Sequence, residues 1–192
     1  MEVRKGYKLF RIKKSRPGEL FPLYVNANQS IPIGIWMKAE CGDMTDNGKV
    51  KSRLGELQFR PGWHINDGVP YVSHIGIKEN GSIKYMRDDT VWCEVEYIAD
   101  IDYQLKAYQN GYKNGKLNRC KACLNYVPEN GFYKYKTNPK MQGEWIIAGN
   151  MKIVRVLDDN QVLKICTDNG CVPLPRRSVF DYSVFGLTEK GA

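Results

Sequence analysis

Histidine is scarce in this chain, with His64 and His74 the only two in 192 residues. No His-Glu-x-x-His pair occurs, nor a phosphate-cradling P-loop, a dinucleotide GxGxxG or a Gly-x-Ser-x-Gly elbow, which removes the motif-bearing metalloproteases, nucleotide hydrolases, dinucleotide oxidoreductases and serine hydrolases. Asp43 to Gly48 has oxygen donors but not the spacing of a calcium loop. No apolar run approaches the ~20 residues of a membrane-spanning helix, and Met1 to Tyr7 lacks the apolar stretch of a secretory signal. Acidic residues are also in deficit, 21 against 29 basic ones, for a net charge of +8. That balance favours acidic partners such as nucleic acid, nucleotides or an acidic protein. Six cysteines without a signal segment lead us to expect reduced thiols in a cytosol.

Strand signals dominate what is there. Tyr7 to Ile12, Leu20 to Val25, Ile31 to Ala39, Leu54 to Phe59 and Tyr71 to Ile77 read as extended. In Thr90 to Tyr97 the alternation puts Val91, Cys93 and Val95 on one face and Trp92, Glu94 and Glu96 on the other. Gly131 to Lys136, Glu144 to Ala148 and Met151 to Val156 follow as strands, and Glu79-Asn80-Gly81 marks a hairpin turn. Helices are expected within Ile101 to Tyr112 and over Gln161 to Cys166, the second capped by Asp158 or Asp159. Gly42 to Val50 reads as a loop. The pattern predicts a β-rich α+β single domain over residues 1–170, of mostly antiparallel sheets with a few short helices around a cleft, and a C-terminal extension over 171–192.

The chain is organised around Phe59-Arg60-Pro61-Gly62-Trp63-His64. Pro61 and Gly62 break the strand before them, so an indole and an imidazole stand beside a guanidinium at its end. Such a turn suits the edge of a ligand pocket. The plainer reading is a Trp anchor packed on a turn.

Gln142-Gly-Glu144 opening an apolar strand resembles the catalytic-glutamate strand of mono-ADP-ribosyltransferases. Leu9-Phe-Arg11 is similar to that family's first-strand arginine, with Lys8 a second basic residue beside it, and Tyr71-Val-Ser73 resembles its nicotinamide-pocket strand. The resemblance implies NAD as cofactor, held by Arg11, Ser73 and Trp63, with Glu144 and His64 as catalytic residues. In it Glu144 would stabilise the oxocarbenium-like charge that forms as the nicotinamide bond breaks. His74 stands where the family usually has a second small hydroxyl residue. Outside the resemblance, Glu144 reads as an exposed acid at a strand start.

A second resemblance rests on Pro32-x-Gly34-x-Trp36, Arg60-Pro-Gly-Trp-His64, Val91-Trp-Cys-Glu-x-Glu96, Asp102-Tyr-Gln104, Asn138-Pro139 and Trp145-Ile-Ile-x-Gly149. Together these resemble an uncharacterised domain of gut-bacterial phages and mobile elements, found alone or within large multi-domain phage proteins. The resemblance implies an effector acting in the bacterial host cytosol. It carries no activity with it, so two functions stand side by side: an NAD-using transferase, and a non-enzymatic inhibitor of anti-defence type that binds a host protein or protein–nucleic-acid complex.

Tyr133, Lys134, Tyr135 and Lys136, with Lys140 after them, interleave aromatics and lysines in the way of a nucleic-acid-binding strand. A solvated basic face is the commoner meaning of such a run. Cys120, Cys123, Cys166 and Cys171 can close a four-thiolate zinc site or be four ordinary thiols, and no metal site is assigned to them.

Overall fold

The computed structural model describes residues 1–187 except Glu79, Lys140 and Gln142, and describes His74 by its backbone alone. The chain runs through β1 (Val3–Lys13), β2 (Arg16–Phe21), β3 (Trp36–Lys38), β4 (Lys49–Ser52), β5 (Gly55–Gln58) and β6 (Trp63–Asn66). Helix α1 (Ser73–Gly76), β7 (Thr90–Ile98), β8 (Ile101–Asp102) and α2 (Gln104–Gly111) follow. Then come β9 (Tyr112–Lys113), β10 (Lys116–Leu117), β11 (Gly131–Tyr135), β12 (Trp145–Ala148), β13 (Asn150–Leu157) and α3 (Asp159–Asp168). The main sheet has the order β3-β13-β7-β1-β6-β12-β11-β8, with β2 also on β1. Its pairs are antiparallel except β8 with β11. The fold is thus a β-rich α+β domain, in keeping with the sequence. No helix among the described residues is long and apolar enough to cross a membrane.

The sheet is strongly curled, and the connection at Gly149 requires it. β12 ends at Ala148 and β13 begins at Asn150, yet β7, β1 and β6 lie between them in the sheet. Four flat inter-strand steps would separate the two by roughly 19 Å, whereas two residue steps span only about 7 Å. The curl closes an inner face around Phe10, Trp63, Val95, Phe132 and Met151. It also brings the rings of Tyr97 on β7 and Phe132 on β11 to 5.7 Å, although those strands are not neighbours. A side chain at Gly149 would put its Cβ 2.2 Å from the Pro128 carbonyl oxygen, so the corner needs glycine.

The outer face is covered by α3, whose Val162 and Cys166 are buried one turn apart with Trp92 and Leu157. Its start is a reciprocal capping box: the Gln161 amide N–H donates to Asp158 Oδ1 at 2.8 Å, and the Asp158 N–H donates to Gln161 Oε1 at 3.0 Å. The described part of the C-terminal segment is bound to the domain. Arg176, with its side chain 4% exposed, pairs with Asp159 and donates to the Thr90 carbonyl, while Phe180, Tyr182 and Phe185 pack on the inner core.

Several local expectations change. Of the runs read as extended, Leu20 to Val25 is strand only to Phe21, and Ile31 to Ala39 only over Trp36–Lys38. Tyr71 to Ile77 is the short helix α1 rather than a strand, because Val72 and Ile75, three apart, bury into one cluster. A Cβ on Gly76 would meet Leu174 at 1.9 Å, so this turn lies tight against the C-terminal segment. Lys49–Ser52 is a strand paired with β5, although the sequence reads as a loop up to Val50. Arg16-Pro17-Gly18, whose Pro-Gly pair signals a turn, lies inside β2 across a register shift from β1.

Candidate functional site

β1 and β6 pair at one position, Tyr7 with Asn66. Gly6 makes that approach possible, since a Cβ there would lie 2.5 Å from Ile65 Cγ2 and 3.0 Å from the Asn66 carbonyl oxygen. Beyond this point β6 remains fully paired with β12, and β1 with β7. The sheet therefore splits, and a cavity of about 370 Å³ opens between Lys8-Leu9 on one lip and Trp63-His64 on the other. Pro22 to Asn26, Ala39 to Gly42 and Leu57 to Phe59 complete its walls. The volume sits at the small end of the ~300–1,000 Å³ range of ligand pockets.

The turn after β5 shapes the site. Gly62 has φ +136°, and a Cβ on it would strike Ile147 Cγ2 at 2.3 Å. This holds the backbone against β12 and turns Trp63 to the inner core, where it is 8% exposed and donates its indole N–H to the Met37 carbonyl at 3.0 Å. His64 takes the opposite face. Its Nδ1 lies 3.2 Å from the Gly62 carbonyl oxygen, and because a carbonyl only accepts, Nδ1 carries the proton and Nε2 is left as an acceptor. Tyr135 and Trp145 meet the imidazole edge-on at 5.8 and 6.1 Å. Burial, with Lys8 and Arg60 nearby, depresses the His64 pKa to about 3. The ring is therefore neutral near pH 7 and cannot deliver a proton there.

Two cations line the cavity. Lys8 Nζ donates to the His64 carbonyl at 2.8 Å and lies 5.6 and 5.8 Å from the centroids of Phe10 and Trp63. Burial lowers its pKa to about 8, and among the described residues no carboxylate forms an ion pair with it. Arg60 stacks over Tyr135 at 4.8 Å, engages its hydroxyl, and makes a long contact, 3.4 Å, to the Cys120 carbonyl. Its Nε is buried with no hydrogen-bond partner among the described residues. Glu40, on the exposed side, is the one acidic residue along the cavity wall.

The residues expected from the sequence divide. Trp63 and His64 line the cavity; Arg11, Ser73 and Glu144 do not. Arg11 turns to the loop after β2, donating to the Ala27 carbonyl. Ser73 is buried at the start of α1, 7% exposed. Glu144 forms an ion pair with Arg119, which also stacks over Tyr108. The motif partner Gln142, the following Lys140 and the His74 side chain lie outside the described residues.

The aromatic-basic run is corrected by its burial. Tyr133 and Tyr135 are 0% and 2% exposed, part of a core cluster with Ala107, Leu124 and Ile147, and so present no ring to a nucleobase from solution. Strand alternation is the reason: both tyrosines fall on the covered side of β11. Lys134 and Lys136 are engaged internally, with Asp67 at 2.6 Å and the Met141 carbonyl at 3.1 Å. The four cysteines do not converge. Cys123 packs with the Tyr133 cluster, while Cys166 and Cys171 pack with Val72 and Leu157. No group of three or more metal-ligating side chains forms among the described residues.

Trp145 is not expected at a pocket from the sequence, which reads Tyr135 as a nucleic-acid contact and Lys8 as the alternative to Arg11 on the first strand. On its strand face Lys8 stands between the apolar Gly6, Phe10 and Ile12, with Arg4 the next cation along. Compared with known protein families, curated proteins and solved structures, the chain matches none.

Proposed function

We propose that this chain is a binding protein whose split-sheet cavity takes a small planar ligand bearing an anionic group, a mononucleotide being the type case. The observation that carries the reading is the pair of cations lining the cavity, Lys8 beside the Trp63 ring and Arg60 on Tyr135, neither of them in an ion pair among the described residues. Buried cations without counter-charge cost folding free energy, and an anionic ligand would offset that cost. The half-buried ring of Trp145 on the cavity lining offers an edge contact, and neutral His64 Nε2 offers an acceptor for a base or amide N–H. The resemblance to phage and mobile-element domains supplies the setting we infer, an effector in the bacterial cytosol acting by binding rather than turnover, on a host ligand or the host complex that carries it.

Calorimetric titration with adenosine and guanosine monophosphates, and with the uncharged nucleosides, tests this. We expect the monophosphates to bind at least ~10-fold more tightly than the nucleosides, as one charge-assisted contact implies. Lys8→Met and Arg60→Met should each remove that preference. Equal affinity for charged and uncharged forms, or no binding of either, would refute the reading.

The NAD-using transferase is the second reading, favoured by the presence of Trp63 and His64 on one cavity wall. It requires Glu144 to reach the ligand from its ion pair with Arg119. Incubation with labelled NAD decides between the two: cleavage lost in Glu144→Gln supports the transferase, and binding without cleavage supports the binding protein.

A further inference from the structure

We propose that Lys8 is a nucleophilic amine, and that the cavity captures small anionic aldehydes or ketones on it as an imine. The proposal rests on the cavity reading above and goes beyond reversible binding. Most well-placed lysines of the sheet are spent on carboxylates: Lys5 on Glu94, Lys134 on Asp67 and Lys152 on Glu96. Among the described residues Lys8 hydrogen-bonds only a carbonyl oxygen, which an amine satisfies as well as an ammonium does. Its nitrogen stands between the Phe10 and Trp63 rings at the lip of the cavity, an apolar setting that disfavours the charged form.

The groups facing it do not restore that charge. Cys93 on β7 remains a thiol because burial raises its pKa, His64 on β6 is neutral, Arg60 is cationic, and Glu40 lies on the exposed wall. With a pKa of about 8, roughly a tenth of Lys8 is neutral at pH 7, against ~0.1% or less for an ordinary lysine. The reaction balances without a redox partner. The Nζ lone pair attacks the carbonyl carbon, one proton passes from the nitrogen to the oxygen to give the carbinolamine, and the hydroxyl then leaves as water with the second nitrogen proton as the C=N bond forms. Arg60 lines the same cavity and offers a guanidinium for the ligand's carboxylate or phosphate.

The probe is 4-carboxybenzaldehyde with cyanoborohydride, followed by intact mass and peptide mapping on the full chain. Its carbonyl-free analogue 4-(hydroxymethyl)benzoate is titrated in parallel. We expect the first adduct at Lys8, formed ~10-fold or more faster than at any other lysine, with a rate rising through pH ~8 rather than ~10.4. Lys8→Arg, checked for folding by circular dichroism, should lose that adduct and keep the slow surface labelling. Adducts spread evenly over the lysines of the folded protein would overturn the proposal. If the analogue binds while Lys8 is not labelled, the imine fails and the pocket stands; if the analogue does not bind and Lys8 is not labelled, both fail.

Discussion

Replacing His64 by glutamine should flatten the acid limb of this protein's stability. The native imidazole has a pKa of about 3, set first by burial and then by Lys8 and Arg60, whereas an unfolded histidine titrates near ~6.5. Between those values the unfolded chain binds a proton that the native chain does not, so stability rises with pH through that window and is lost as pH falls. At pH 5 the loss relative to pH 7.5 is about 2 kcal/mol, growing to about 5 kcal/mol below pH 3. In a protein of this size 2 kcal/mol corresponds to roughly 4–8 °C in melting temperature. Urea unfolding of both proteins at pH 7.5, 6 and 5 measures it. The glutamine variant will be less stable at pH 7.5, from lost packing against Tyr135 and Trp145, but the gap must narrow by about 2 kcal/mol at pH 5. Parallel curves would refute the argument, for they would mean that water reaches the ring and that His64 titrates normally.

Gly6→Ala should destabilise the fold by about 1–3 kcal/mol, because its Cβ meets Ile65 Cγ2 at 2.5 Å and the Asn66 carbonyl at 3.0 Å; denaturant midpoints read this, and a neutral result would mean that β1 and β6 are not in close contact. Arg176→Ala should free the C-terminal segment, since this nearly buried guanidinium holds Asp159, Tyr182 and the Thr90 and Arg87 carbonyls together; limited proteolysis should then cut within residues 177–187 while the remaining core resists. Glu144→Gln should cost no more than ~1 kcal/mol, as expected for a part-exposed ion pair, and should leave monophosphate affinity within about twofold.

What the sequence made legible was local. The alternation in Thr90 to Tyr97 puts Val91, Cys93 and Val95 on one face because a strand has period two, and the structure buries that face in the inner core. A cap at Asp158 or Asp159, which the structure resolves as Asp158, and a helix within Ile101 to Tyr112 follow from equally local chemistry. The pocket was not local. Its lips belong to strands more than fifty positions apart that touch at one register point, and nothing in Lys8 or Leu9 names Trp63 or His64 as the neighbour. The Tyr133 to Lys136 run misled for a related reason: its alternation predicts two faces, but only α2 and the Leu124 segment, packed beneath, show that the tyrosine face is covered.

The central position of β1 also bears on how the molecule assembles. Tyr7 pairs with Glu94, 87 positions further along, and β12 with β6 across a similar span of chain, so the middle of the sheet cannot zip from neighbouring turns. The first strand made waits for a main partner far along the chain, and β3 waits longer still, for β13. Loop closure over such distances must precede the contacts that reward it, which slows folding. During synthesis Leu9, Phe10 and Ile12 remain uncovered until β7 has left the ribosome, and in that interval the β1 segment is the part of the chain most open to aggregation or to a chaperone.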